Sequence, residues 1–400
     1  MIAVLFAAFG TSCGTSNMTS SNPGGTTPSG PTSPTPAPIP APGTSPGVGT
    51  APAQASFVYG TFGPTVVGGR VTGNGQIIDV PMPTDPNSGD TGFMSGTGGE
   101  TDSIATDPKG RFVYTLDVQT SSFGIPIGNN GIGAFTVDRA TGELTRIAGS
   151  PYPVSYRGGS VVEDGHGLFL FAAGSKANAI DSYSVDQSTG ALKKSSTLKH
   201  DAGNQLAASW DGRFLFNAGN GQVAAYSIAA GTGTLTQVSN VSVQNVGPIF
   251  LSYSGKFLYS VSNRGVTTIS VGNSGQLTIT QASFPAVQVA GGLPRRMIAS
   301  SRDDRFAYVG TSSGENIGAL QTYSVDPATG AIGSPIGNPV TMQVGQSPLQ
   351  VTLDLNGKFL YATFTGINLQ TFPIQADGSI GPGAINPGES ANVDFFELSP

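Results

Sequence analysis

The chain has 400 residues, 38% of them hydrophobic, which is enough for a large core, yet only 10% are charged while 58 are Gly and 29 are Pro. The net charge of −6 excludes a reader of phosphate backbones, which needs a basic stripe; apart from Lys193-Lys194 and Arg295-Arg296 the basic residues stand singly. A lone cysteine, Cys13, excludes an intramolecular disulfide framework, and with only His166 and His200 beside it the usual zinc spacings are missing.

Met1 to Gly10 is apolar and leads into Phe9-Gly10-Thr11-Ser12-Cys13, which resembles the end of a bacterial lipoprotein signal peptide. Residues 1–13 are therefore expected to be the remnant of such a signal, with Cys13 as the lipidated residue. Residues 14–55 are rich in Pro, Ser, Thr and Gly and too poor in large apolar side chains to build a core, so they read as a disordered stalk. A tether of that composition fits a protein outside the cytoplasm, in the bacterial cell envelope or secreted, that meets the membrane only through a lipid anchor.

From residue 56 to 400 one grammar repeats. Gly357-Lys358-Phe359-Leu360-Tyr361 has close copies at Gly110-Arg111-Phe112-Val113-Tyr114, Gly212-Arg213-Phe214-Leu215-Phe216 and Gly255-Lys256-Phe257-Leu258-Tyr259. Looser copies surround Phe169 and Phe306, and Phe57 opens the series. The spacings between these phenylalanines are 55, 57, 45, 43, 49 and 53 residues, close to the period of propeller blades. Each is preceded by a strand of small residues and a turn, as in Ser103 to Gly110, and followed by a third strand and a hairpin such as Val137-Asp138-Arg139-Ala140-Thr141-Gly142-Glu143-Leu144.

Four strands per unit, seven units and no helical period predict an all-β, seven-bladed β-propeller. The first unit starts at its anchor strand, whereas the chain ends in a surplus strand at 391–398. That strand is expected to supply the missing inner strand of blade one and close the ring.

These inner turns combined with Val-Asp-x-x-Thr-Gly-x-Leu hairpins resemble the lactonase-type seven-bladed propellers, which include propeller 6-phosphogluconolactonases and carboxymuconate cyclases and are related to surface-layer repeat proteins. The resemblance covers Ser56 to Leu398 and implies a site of His, Arg and Glu at the starts of inner strands. Matched by blade order, those positions hold Asn204-Gln205, Gly247-Pro248, Asn263 and Ser347-Pro348, so the family's catalytic set is expected to be lost.

The remaining candidates around that mouth are Arg295, Arg296 and Arg157 for a carboxylate or phosphate, Glu100 and Asp102 as acids, and Asn204 and Gln205 as ligand-binding groups. His166 sits in a turn on the opposite face, and Trp210 either packs on a neighbouring blade or offers a stacking surface. Two polar insertions, 78–100 and 117–131, carry Phe93, Met94, Phe123 and Ile125 as contact residues. The glycine pairs 68–69, 98–99 and 158–159 lack a Lys-Ser/Thr sequel and read as turns, and no calcium loop is present, so no cofactor or metal is expected.

The sequence thus predicts a monomeric binding or scaffold propeller for a small anionic ligand, a cell-surface glycan or a protein. The alternative is a lactone hydrolase working at the channel mouth.

Overall fold

A computed structural model describes residues 57–62, 65–80, 93–94, 100–118, 130–155, 157–175, 178–199, 203–262, 264–284, 297–312, 317–343, 346, 348–354, 356–364, 367–386 and 395–399. No helix occurs among the described residues, and the strands form seven antiparallel sheets.

Blade one begins with β1 (Phe57–Phe62), β2 (Thr65–Val71) and β3 (Ile77–Asp79), with β4 (Phe93–Met94) added beside β2. Blade two is β5 (Glu100–Thr106), β6 (Phe112–Val118), β7 (Gly131–Val137) and β8 (Leu144–Arg146), with β9 (Tyr152–Pro153) also paired to β7. Blade three is β10 (Arg157–Glu163), β11 (Phe169–Ser175), β12 (Ala179–Val185) and β13 (Leu192–Lys199). Blade four is β14 (Gln205–Ala208), β15 (Phe214–Gly219), β16 (Gln222–Ile228) and β17 (Leu235–Ser242). Blade five is β18 (Ile249–Leu251), β19 (Phe257–Ser262), β20 (Gly265–Val271) and β21 (Leu277–Phe284). Blade six is β22 (Ile298–Ser300), β23 (Phe306–Ser312), β24 (Gly318–Val325) and β25 (Ile332–Thr341). Blade seven is β26 (Pro348–Leu353), β27 (Phe359–Phe364), β28 (Ile367–Pro373) and β29 (Ala384–Ile385), and the last strand is β30 (Phe395–Ser399).

Ring closure follows the sequence expectation. β30 pairs with β1, Thr61 opposite Phe395 through Phe57 opposite Ser399, and so becomes the inner strand of blade one. The anchors are the second strands of their blades, and the turn before each is held by one side chain. Asp164 Oδ1 accepts from the Leu168 and Phe169 amides at 2.7 Å, and Asp354 Oδ1 accepts from those of Lys358 and Phe359 at 2.6 and 2.8 Å. Ser209, Ser252 and Ser301 do the same with hydroxyls, at 2.8, 3.2 and 3.0 Å from the Phe214, Phe257 and Phe306 amides.

The repeated Phe-x-Tyr has a packing reason that crosses blade boundaries. The ring of each anchor lies against the glycine of the next blade's outer hairpin: Phe57 against Gly142, Phe112 against Gly190, Phe169 against Gly233, and so around to Phe359 against Gly75. Two residues after the anchor, tyrosine hydroxyls donate to the same glycines' carbonyls: Tyr59 to Gly142 at 2.8 Å, Tyr114 to Gly190 at 2.9 Å, Tyr259 to Gly330 at 3.3 Å and Tyr361 to Gly75 at 3.0 Å. Blades three and four carry Phe171 and Phe216 there and keep only the apolar part. Each seam is thus a buried aromatic ring on a bare backbone, often with a hydrogen bond that satisfies the covered carbonyl.

Two glycine pairs read as turns lie within strands instead: Gly68-Gly69 in β2 and Gly158-Gly159 in β10. At Gly159 the cause is close backbone approach, since a Cβ there would overlap the Ala173 carbonyl. Gly98-Gly99 lies outside the described residues.

Candidate active site

The strands nearest the propeller axis are β30, β5, β10, β14, β18, β22 and β26, each ending its sheet. Three of them are irregular close to their starts. In β5, Thr101 faces Asp117 and Ser103 faces Leu116, leaving Asp102 as an extra, bulged residue. In β10, Arg157 faces Ser175 and Gly159 faces Gly174, leaving Gly158; in β26 the same step leaves Leu349. Bulges turn side chains out of the regular alternation and are frequent beside active sites.

β5 and β10 are in register across the seam: the Val161 amide donates to Ser103 Oγ at 3.1 Å. Counting back along both strands, each with one bulged residue, is three levels from Val161 to Arg157 but two from Ser103 to Glu100, so Arg157 stands one residue beyond the first residue of β5. The backbone therefore places Arg157, Glu100 and the bulged Asp102 at one end of two adjacent inner strands. Beneath them the Thr101 hydroxyl donates to buried Asp117 at 3.0 Å, which fixes the start of β5 against β6.

Asn204 and Gln205 open the next inner strand, β14, and both are half-buried. Their backbone is held from behind by Asn217, whose amide accepts from Gly203 N at 3.1 Å and donates to the carbonyls of Gly203 and Gln205 at 2.8 and 3.1 Å. Blade five repeats the device with a smaller residue: Gly247 N donates to Ser260 Oγ at 3.1 Å, one residue before Pro248. The strand starts at which the family resemblance puts a histidine and an Arg-His pair are thus built and rigid, with uncharged residues on them.

Arg295, Arg296, Cys13, His200, Phe123 and Ile125 lie outside the described residues, as do Asn263 and Ser347. His166 is on the turn face, with its side chain 59% exposed and Nδ1 3.9 Å from Asp164. Phe93 and Met94 form the short strand beside Thr65 and Val66.

At the turn end of the inner strands an aromatic group joins four blades. Trp210 stacks on Tyr253 with centroids 6.3 Å apart and planes 10° from parallel, and its Nε1 donates to the Ser252 carbonyl at 3.0 Å. The Tyr253 amide donates to Ser300 Oγ of blade six at 3.2 Å, and its hydroxyl donates to the Leu353 carbonyl of blade seven at 2.5 Å. A bond that skips a blade is made only close to the axis, so Tyr253 braces the centre of the ring on this face. Trp210 is committed to that packing. Sequence reasoning did not single out Tyr253, Asn217 or Ser260; for the last two the signal available was a polar residue where blades three, six and seven carry Ala172, Val309 and Ala362.

Comparison with known proteins adds to this geometry. Residues 90–204 match the family model described as Lactonase, 7-bladed beta-propeller, a segment spanning blades two and three and the approach to β14. No curated protein matches the sequence. Among solved structures, a provisionally named 6-phosphogluconolactonase from Bacteroides uniformis superposes with a TM-score of 0.67 at 15% identity, covering 86% of this chain and 99% of its own. A second protein so named, from Bacteroides fragilis, gives 0.64 at 15% identity over 88% and 99%. The periplasmic gluconolactonase of Pseudomonas aeruginosa gives 0.63 at 18% identity over 86% and 99%. The chain resembles the lactonase-type seven-bladed propellers, sharing their fold in its described blades and their sequence signature in residues 90–204.

Proposed function

We propose that this propeller is a lactone hydrolase of the gluconolactonase kind, acting at the mouth where the inner strands begin. The observation that carries the reading is that Glu100 and Arg157 are the first residues of two adjacent inner strands, with bulged Asp102 close by on β5, inside the segment that matches the lactonase family. In that arrangement the guanidinium binds the carbonyl oxygen of a ring ester and stabilises the oxyanion that forms there. A carboxylate takes a proton from water, the hydroxide adds to the carbonyl carbon, and the ring C–O bond breaks as the leaving alkoxide is reprotonated, giving the open hydroxy acid. A location outside the cytoplasm, on the 14–55 tether and anchored at Cys13, belongs to the same proposal. It is supported by the signal-like N-terminus and by the periplasmic setting of one structural neighbour.

The test is hydrolysis of glucono-δ-lactone, its 6-phosphate and aromatic lactones by the full chain, with Arg157→Ala, Glu100→Gln and Asp102→Asn beside an R295A/R296A double variant. Loss of one oxyanion donor is expected to lower kcat by roughly 10²–10³-fold. No turnover above the spontaneous rate on any lactone would overturn the reading. A binding propeller would then stand in its place, favoured by the rigid, uncharged strand starts at Asn204-Gln205 and Pro248. Its ligands would be sought among small anions, cell-surface glycans and proteins.

A further inference from the structure

In the six blades whose inner strand leads into an anchor turn, the last residue of that strand is small or apolar in five: Thr106, Ala208, Leu251, Ser300 and Leu353. In blade three it is Glu163. That side chain is 6% exposed, and neither carboxyl oxygen has a hydrogen-bond partner.

Its surroundings offer no proton donor to share. Asp107, across the seam, is spent on Arg111: Oδ2 accepts from Nε at 2.7 Å and from the Arg111 amide at 3.0 Å, and Oδ1 accepts from Nη2 at 2.9 Å. Asp164, beside it, accepts from the amides of His166, Leu168 and Phe169. Gly167 faces the same spot; a Cβ there would stand 3.3 Å from Arg111 Nη2 and 3.4 Å from Glu163 Oε1. Burial, then Asp107, then Asp164 push the Glu163 carboxyl well above the usual carboxylate range, while Arg111 and Lys109 oppose them. Tyr114 is the remaining titratable group of blade two facing it, and His166, 3.9 Å from Asp164, is the other group of its own turn.

We propose that Glu163 sits in the seam between blades two and three as a neutral carboxylic acid, and that its ionisation loosens this seam and with it the two strands, β5 and β10, that carry the channel mouth. A buried carboxylate with two like charges beside it and no donor is costly, whereas the neutral acid is tolerated. Because the folded form holds a proton that the unfolded chain releases at lower pH, the contribution is fully present below the ordinary glutamate range. It is lost as pH rises toward the folded value. The inference is independent of the lactonase reading.

The experiment is thermal and urea unfolding of the full chain from pH 4 to pH 8, wild type against Glu163→Gln and Glu163→Leu, the latter copying what Leu251 and Leu353 supply in blades five and seven. The difference between the curves removes contributions common to both proteins, including that of Asp304. The variants are expected to gain on wild type as pH rises, by tenfold in the folding equilibrium constant per pH unit across the window. Parallel curves would overturn the proposal. So would a stabilisation of wild type alone by calcium or magnesium chloride at pH 8, since that would mean an ionised carboxylate holding a cation. Should Glu163→Gln fail to fold, Glu163→Leu alone decides, because a neutral side chain already used at that place in two other blades carries no pH term.

Discussion

Replacing Gly190 with Ala separates the two reasons for a glycine at the tip of an outer hairpin. The residue has φ +73°, and a Cβ on it would lie 2.5 Å from Phe112 Cδ1 and 2.6 Å from Ile147 Cδ1. The left-handed backbone costs a residue with a Cβ about 1–2 kcal/mol, and forcing a methyl against a packed ring adds about 1–3 kcal/mol. Gly221 is the control: its φ is +77°, but nothing lies within 4 Å of its Cβ position, so Gly221→Ala meets only the backbone term. Urea unfolding should show G190A losing roughly 2–5 kcal/mol and G221A about 1–2 kcal/mol. Shrinking Phe112 to Leu should reduce the G190A penalty and leave that of G221A unchanged. Equal costs for the two glycine variants would refute the idea that the anchor ring and hairpin glycine form the seam.

Deleting 391–400 removes β30 and uncovers the β1 edge from Phe57 to Thr61. Five lost cross-strand pairs set a destabilisation of about 1–5 kcal/mol, visible as a lower urea midpoint for the whole domain; an unchanged midpoint would count against the clasp. Asp304 occupies, at φ +54°, the place where five other blades put glycine before the anchor pair. Burial holds its carboxyl above the ordinary aspartate range. Asp304→Gly is expected to gain about 1–2 kcal/mol from the backbone, with the gain growing as pH rises, since the folded wild type retains a proton there that the unfolded chain loses. A lower Tm for this variant would show that its polar contacts with Ser252 and Ser254 outweigh the strain.

The fold was legible because its packing repeats: Phe, Tyr and Gly recur wherever ring, hydroxyl and bare backbone must meet, and seven copies of a weak pattern make a strong one. What each copy touches was hidden, since Phe112 and Gly190 are 78 residues apart and belong to different blades. Gly158-Gly159 looked like a turn because glycine serves both turns and close strand approach; only the pairing of Arg157 and Gly159 to β11 separates the two. Glu163 escaped notice as one acid in a small-residue strand. Aligning the blades on their anchors would have set it against Leu251 and Leu353 and exposed the exception. At the mouth, composition could name Arg157, Glu100 and Asp102, but the bulges that set their heights follow from backbone hydrogen bonding that no side-chain pattern announces.

The seams run in one direction: a blade offers its anchor ring forward and its hairpin glycine backward. Any run of consecutive blades therefore carries a donor surface at one end and the matching acceptor at the other, which makes the contact heterologous and head-to-tail. Such a contact propagates until the accumulated rotation returns to the start, and here Gly75 receives Phe359 at the seventh step. Blade number is thereby an angular property of one repeated joint. The pairing of β30 with β1 locks a circle that the joints already describe.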